Sequence, residues 1–468
     1  DGHIAFYGAS GSGKTTALRS LAIAAGITPS SGPVNVYALD FAGGGLDMLK
    51  KLPSVGNVIQ GDDEERIAKL IDFLGSIVDE RSVSYKAVNA SHLTSYRELS
   101  GKQDEPRYLV LIDGIATFAE TYQLVGRHAK IWSRFQQILS DGREVGVHFA
   151  VSADRPQAIP NSIAASFQRK VVLRLTDEDA YLYFNLPRDV LTASSAPGRA
   201  MQVGNPNLLQ LPILGRNVTD YDQAREIESL AGASFMRRRT RPTPIRSLPL
   251  DIPEREVDRV VEGRPVIGVE AGSLAPMPLR PGGTFAITGP AQSGRTNTVR
   301  WLARSVHSAF PNAVMLHACA RRSLVAREPL WTETAQGADK IASMLAKHGH
   351  LFEEEAPETT PGVVLFVEGI GEFSFSACDQ QLQDAIASAK ANGHLVVAEA
   401  DVSGWSFGGS LASGVRSGRT GIVLCPSPGE GENAVGVPVP GIFGAEAVPG
   451  RGYFVQSGKQ WKVQVPRV

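Results

Sequence analysis

Four residues, Gly8, Gly13, Lys14 and Thr15, stand at the spacing G-x-x-x-x-G-K-[ST] inside "FYGASGSGKTT", Phe6 to Thr16. Glycines at 8, 11 and 13 let the backbone turn tightly and aim successive N–H groups inward, where only an anion would satisfy them. The loop Gly8, Ala9, Ser10, Gly11, Ser12, Gly13, Lys14, Thr15, Thr16 therefore reads as a cradle for the phosphates of ATP. Lys14 is placed to meet the β- and γ-phosphates, and the Thr15 hydroxyl to hold Mg²⁺. A carboxylate is needed beside it for that metal. Asp113, closing the apolar run "YLVLID", has the position and chemistry of a Walker B acid. Thr15 and Asp113 are thus the expected metal pair, and Lys14 and Asp113 the expected catalytic residues.

These groups must be held by strands and helices, and the chain shows which. A short apolar run, His3 to Tyr7, precedes the loop, and "TALRSLAIAA" follows it with the spacing of a helix, whose N-terminal dipole adds to the anion site. The pattern then recurs. "TFAITGPAQSGRTNTVRWLA", Thr284 to Ala303, echoes the opening stretch; "VVLFVEGIGEF", Val363 to Phe373, echoes "YLVLIDGIATF", Tyr108 to Phe118; "NGHLVVAEADV", Asn392 to Val402, echoes "VGVHFAVSADRP", Val145 to Pro156; and "VPGRGYFV", Val448 to Val455, echoes "APGRAMQV", Ala196 to Val203. Continuous apolar runs ending in an acid are expected of central parallel strands buried on both faces. One α/β module, built on a mainly parallel central sheet, is present twice. We place the modules at 1–240 and 241–468, joined by a short helix and a basic, Pro-containing connector, whose Arg237 to Arg241 cluster is read as solvated. A lead-in, roughly Ile245 to Gly283, belongs to the second module and has no counterpart in the first, so the chain reads as truncated at its front.

The second copy has drifted. Its loop, Gly289, Pro290, Ala291, Gln292, Ser293, Gly294, Arg295, Thr296, Asn297, carries arginine where the first has Lys14, and Glu368 replaces the aspartate. A flat guanidinium must fit where a point charge is expected. Neither acid is followed by the glutamate that commonly positions water in fast P-loop ATPases; the residues are Gly114 and Gly369. Hydrolysis by this chain is expected to be weak. Arg155 and Arg169, in and after the "SADRP" loop, are candidates to sense phosphate or to act as an arginine finger. His3 and His148 sit in apolar strands and read as core residues.

Composition bounds the partners. The 468 residues carry 47 Lys plus Arg against 48 Asp plus Glu, a net charge of −1. That balance leaves no electrostatic case for nucleic acid. Three cysteines without a C-x-x-C pair argue against disulfides or zinc and for a reducing compartment. No apolar run reaches the length of a spanning helix, and the chain reads as soluble.

The two Walker regions, the "VHFAVSADRP" strand and loop, the paired "PGR" segments and "VYALDFAGGGLDMLKKLPSVGNVI", Val36 to Ile59, together resemble the FtsK/SpoIIIE class of RecA-like motors. Within that class they are similar to the tandem C-terminal ATPase modules, second and third, of the EccC/EssC proteins of type VII secretion. The resemblance covers essentially the whole chain. It implies two RecA-like P-loop modules binding ATP and Mg²⁺ at the cytoplasmic face of the bacterial plasma membrane, beside an upstream ATPase module and a membrane complex, in a homo-oligomer such as a hexamer. It further implies export of small WXG-type proteins whose C-terminal signal is received by the last module. A DNA translocase and a nucleotide-locked scaffold are the alternatives, the first disfavoured by the neutral charge.

Overall fold

A computed structural model describes residues 2–27, 32–123, 126, 129–205, 207–237, 241–357 and 360–468. The chain divides into two compact units, Asp1–Arg246 and Ser247–Val468. Residues 241–246, assigned from sequence to the second module, go with the first: Tyr37 donates to the Thr243 carbonyl at 2.6 Å, and the Ile245 N–H donates to Asn57. Of the basic run, residues 238–240 lie outside the described residues.

Among its described residues the first unit has eight strands, β1 Ile4–Tyr7, β2 Val34–Asp40, β3 Val55–Gln60, β4 Arg107–Asp113, β5 Val147–Ala153, β6 Arg169–Leu173, β7 Arg199–Gln202 and β8 Leu208–Gln210. They lie in the order β3, β2, β4, β5, β1, β6, β7, β8, parallel from β3 to β6 and antiparallel over the last two pairings. The central strands are buried on both faces. Along β2, Val36 and Ala38 enter one apolar cluster, and Tyr37 and Leu39 the other, which is the period of two expected of a strand between two helical layers.

The second unit continues with β9 Val260–Val261, β10 Arg264–Glu270, β11 Pro276–Pro278, β12 Gly283–Thr288, β13 Val314–Cys319, β14 Glu333–Gln336, β15 Val363–Glu368, β16 Leu395–Glu399, β17 Thr420–Leu424, β18 Arg451–Gln456 and β19 Lys459–Gln464. Its order is β14, β13, β15, β16, β12, β17, β18, β19, the same arrangement, with β10 and β11 added beyond β19. The lead-in is therefore sheet. Strand β10 pairs antiparallel with β19, and its Val266 carbonyl accepts from the indole of buried Trp301 at 2.8 Å. Strands β6 and β17 were not singled out in the repeat. Each is five residues long, and each pairs with its module's loop-bearing strand.

Candidate functional site

In a parallel sheet the carboxyl ends of the strands open on one edge, where ligands bind. The first loop leaves β1 on that edge and enters the helix Lys14–Ile27. It is fixed from both sides: the Gly8 N–H donates to Ala153 at the end of β5 (3.0 Å), and the Ala9 N–H to Arg174 just past β6 (2.8 Å). The "PGR" turn closes it from a third direction, since the Gly198 N–H donates to the Ser12 carbonyl at 2.8 Å. Gly13 has φ +106°, and a Cβ there would lie 3.0 Å from the Gly198 nitrogen. Any larger residue would strain the backbone and push the clamp away.

Inside this loop the Lys14 ammonium donates to the carbonyls of Gly8 (2.7 Å) and Ala9 (3.0 Å). Burial pulls its pKa below the ordinary lysine value, while Asp113 and Asp154 oppose the shift. Thr15 donates to Asp113 Oδ2 at 2.7 Å. The other carboxylate oxygen accepts from Ser152, on the strand between, and Ser152 accepts in turn from the Gly114 N–H at 2.8 Å. The pairing of acid, serine and threonine leaves Asp113 buried, with the hydroxyl and carboxylate that a divalent cation would use already adjacent. Ser12 Oγ is buried without a partner. Residues 8–16 could hold a triphosphate and Thr15 with Asp113 its Mg²⁺: a cation sits on carbonyls it would give up for phosphate oxygens, and a polar orphan lies behind the loop.

A neighbouring loop leans on the same place. Asp40, level with Asp113 in the β2–β4 register, accepts from the N–H groups of Ala42, Gly44 and Leu46 and so folds "FAGGGL" over the edge. Gly43 and Gly44 take left-handed angles, and a Cβ on Gly45 would come within 2.7 Å of Thr15 Cγ2. Gly114 also has a left-handed angle, φ +89°, as does Gly369 at +74°. The residue after the acid is thus at a position whose backbone favours glycine over glutamate.

The arginines are arranged differently from the expectation. Arg155 follows β5 on the loop-bearing edge, exposed beside Asp154 and Glu120. Arg169 opens β6 level with Ile4, at the opposite end of the strands, so the fold does not bring it to the loop of its own module. The arginine at the loop is Arg174, which donates to the Gly11 carbonyl at 3.0 Å and to Ser195 at 3.3 Å. The strand-end rule applied to "RKVVLR" would have selected it. His3 is a core residue, bonded to Leu139 and Phe149.

The second loop keeps the first one's backbone. Gly294 has φ +95°, Gln292 takes the left-handed angle of Gly11 at φ +64°, and the Gly450 N–H donates to the Ser293 carbonyl at 2.8 Å. The side chains differ. Arg295 Nη1 meets Glu399 Oε1 at 2.7 Å, and Glu399 stands at the end of β16 where β5 has Ser152. Burial pushes the Glu399 carboxyl above the usual range, Arg295 opposes, and Glu368 adds to the rise. Glu368 bonds buried His317 at 2.8 Å, whose ring stacks on Trp331. Asn297, assigned to nucleotide, is used by the segment that follows β19, donating to the Pro466 carbonyl and accepting from the Val468 N–H. An open pocket of about 670 Å³ lies over this edge, lined by Arg295, Thr296, Glu368, Asp401, Leu324 and Phe407 among others.

A phosphate-loop strand separated by one strand from its acid-ended strand, in a mainly parallel sheet and present twice, defines a tandem P-loop NTPase of RecA-like architecture. Residues 1–201 match the FtsK/SpoIIIE family model. Relatives include ESX secretion proteins. The chain is 24% identical over its whole length to YukB of Bacillus subtilis, and 24% identical over 65% of its length to EccCb1 of Mycobacterium tuberculosis. It spans only 32% and 54% of those proteins, respectively. Among solved structures, EssC ATPases 2 and 3 of Geobacillus thermodenitrificans match the whole chain at a TM-score of 0.77 and 21% identity, covering 91% of that chain. EccC ATPases 2 and 3 of Thermomonospora curvata, in complex with a signal sequence peptide, match at 0.62 and 21%, covering 88%. At these identities the structures establish a shared fold. The P-loop family implies nucleotide binding, generally with Mg²⁺. Among the described residues no helix is long and apolar enough to cross a membrane.

Proposed function

We propose that this chain is the nucleotide-binding and substrate-receiving part of an ESX, or type VII, secretion ATPase, working at the cytoplasmic face of the membrane beside an upstream ATPase module. The observation that carries the reading is the combination of a whole-length match to an ESX protein with one complete and one altered P-loop. The first module holds ATP on residues 8–16, with Lys14 at the phosphates and Thr15 and Asp113 at Mg²⁺; ATP so bound supplies a transferable phosphoryl group. Ser152 keeps Asp113 oriented, and Lys14 changes partners from carbonyls to phosphate oxygens. Turnover is slow, because the place after Asp113 is a left-handed glycine and supplies no carboxylate to orient water.

The second module recognises protein. Its fold is intact while its phosphate chemistry has been replaced, and Leu324 and Phe407, both exposed, edge the pocket by its loop, with Phe375 exposed nearby in sequence to the acid strand. Such side chains suit the apolar face of a helical peptide, here the C-terminal signal of a WXG-type protein. Isothermal titration with Mg-ATP tests the first half: wild type binds, and Lys14→Ala loses at least about tenfold in affinity, roughly 1.4 kcal/mol. Equal affinities would overturn the site. Steady-state phosphate release of several per second, as in ordinary ATPases, would overturn the slow-turnover reading.

A further inference from the structure

The second P-loop retains what makes such a loop an anion cradle. Its left-handed turns at Gln292 and Gly294, the clamp from Gly450 and a buried, unpartnered Ser293 hydroxyl all repeat the first loop. What differs is who satisfies the cation. In the first module the Lys14 ammonium rests on neutral carbonyls and is available to a ligand. In the second, the Arg295 guanidinium is bonded to a carboxylate of the protein itself, with the two side chains only 24% and 12% exposed.

We propose that Glu399 is a built-in anion that takes the place of nucleotide phosphate, so that the second module holds its P-loop closed without a nucleotide and rejects one. One residue does two jobs. The Gly369 N–H donates to the Glu399 carbonyl at 2.8 Å and also to its Oε2 at 3.2 Å, where the Gly114 N–H donates to the Ser152 hydroxyl, and Oε1 neutralises Arg295. The metal half of the site is answered from within as well. In the first module threonine and acid are bonded to each other, whereas Glu368 is bonded to His317. A polyphosphate approaching Arg295 would meet a cation already paired and, in Glu399, a carboxylate at the place where the first module has the neutral Ser152. The obstacle is therefore Glu399 and not the arginine, since Arg295→Lys would leave a lysine facing the same carboxylate.

The test counts Mg-ATP bound per chain on the 468-residue chain, wild type and variants, by equilibrium titration. Glu399→Ser restores the residue of the first module and is expected to add one nucleotide per chain, its second-site affinity rising on the order of a hundredfold as the repelling charge goes. Glu399→Gln, close in shape and without the charge, guards against a folding defect in the serine variant; a gain in either folded variant supports the inference. Arg295→Lys is expected to add none. The inference is overturned if the wild-type chain already binds nucleotide at the second module, if neither Glu399 variant gains a site, or if Arg295→Lys alone gains one. A wild-type count of zero would sink the reading of the first module, while the change in count on altering Glu399 would still decide this one.

Discussion

Removing Arg295 should destabilise the second module by an amount that depends on pH in a calculable way. In Arg295→Ala the Glu399 carboxylate keeps its burial and loses the guanidinium at 2.7 Å. Breaking a buried ion pair from one side costs about 3–5 kcal/mol, and partial exposure of Arg295 moderates this. A ceiling also exists, because the carboxyl can take up a proton. From its ordinary value of 4.5, protonation at pH 7.5 costs about 1.36 kcal/mol per unit, or roughly 4 kcal/mol over three units. At pH 5.5 the same ceiling is roughly 1.4 kcal/mol. The sign follows from linkage. A carboxyl whose pKa in the folded state lies above its unfolded value favours folding at low pH and loses that contribution as pH rises. The groups facing it, Glu368 and Asp401, are acids that push the same way, while His317 is held by Glu368. We therefore expect a loss of about 2–4 kcal/mol at pH 7.5, shrinking to roughly 1 kcal/mol at pH 5.5. Urea unfolding followed by tryptophan fluorescence reads it well, because Trp301, Trp331, Trp405 and Trp461 report the second module and Trp132 the first. An equal loss at both pH values, or none at either, would refute the reasoning.

Other outcomes follow from the same geometry. Gly114→Glu places a side chain at φ +89° with its Cβ 3.2 Å from that of Phe41, so it should cost about 1–2 kcal/mol in stability while supplying the carboxylate that is missing after Asp113 and raising phosphate release; no increase in the folded variant would show that the missing carboxylate is not what limits turnover. Phe407→Asp should weaken binding of a WXG-type C-terminal peptide by about tenfold or more without altering ATP affinity, and unchanged peptide binding in a direct titration would remove the apolar rim from the docking surface. Burial pulls the His148 pKa down to about 4, with His3 and Arg107 adding to the effect. Between pH 6.5 and 4 the unfolded chain then holds the extra proton, and the first module should lose stability as pH falls through that window. His148→Gln should flatten the slope of urea midpoints against pH; an unchanged slope would contradict it.

The parts of the site carried by contiguous residues were legible before any fold was known. A P-loop is a local object whose glycines, lysine and threonine act through their own backbone, and an acid at the end of an apolar run announces a strand end. Duplication was equally legible, since four landmarks recur in order. What escaped was whatever depends on which strand lies beside which. Ser152 and Glu399 matter because β5 and β16 lie between loop strand and acid strand, a non-local pairing that no local pattern states. Arg169 and Arg174 bracket one five-residue strand, and only the direction of β6 puts the second, rather than the first, at the loop. Asn297 occupies a P-loop position by count, yet the segment after β19 returns to claim its side chain. The lead-in was recognised as an extra segment, but its role as sheet edge follows from the partner it finds in β19.

A crystal structure of the full chain with Mg²⁺ and a slowly hydrolysed ATP analogue tests the central claim most directly. We expect analogue density only on the first loop, with Lys14 drawn off the Gly8 and Ala9 carbonyls onto phosphate, the metal beside Thr15 and Asp113, and Arg295 still on Glu399. Analogue bound at Arg295 with Glu399 displaced, or a first loop left empty with Lys14 still on its carbonyls, would contradict it.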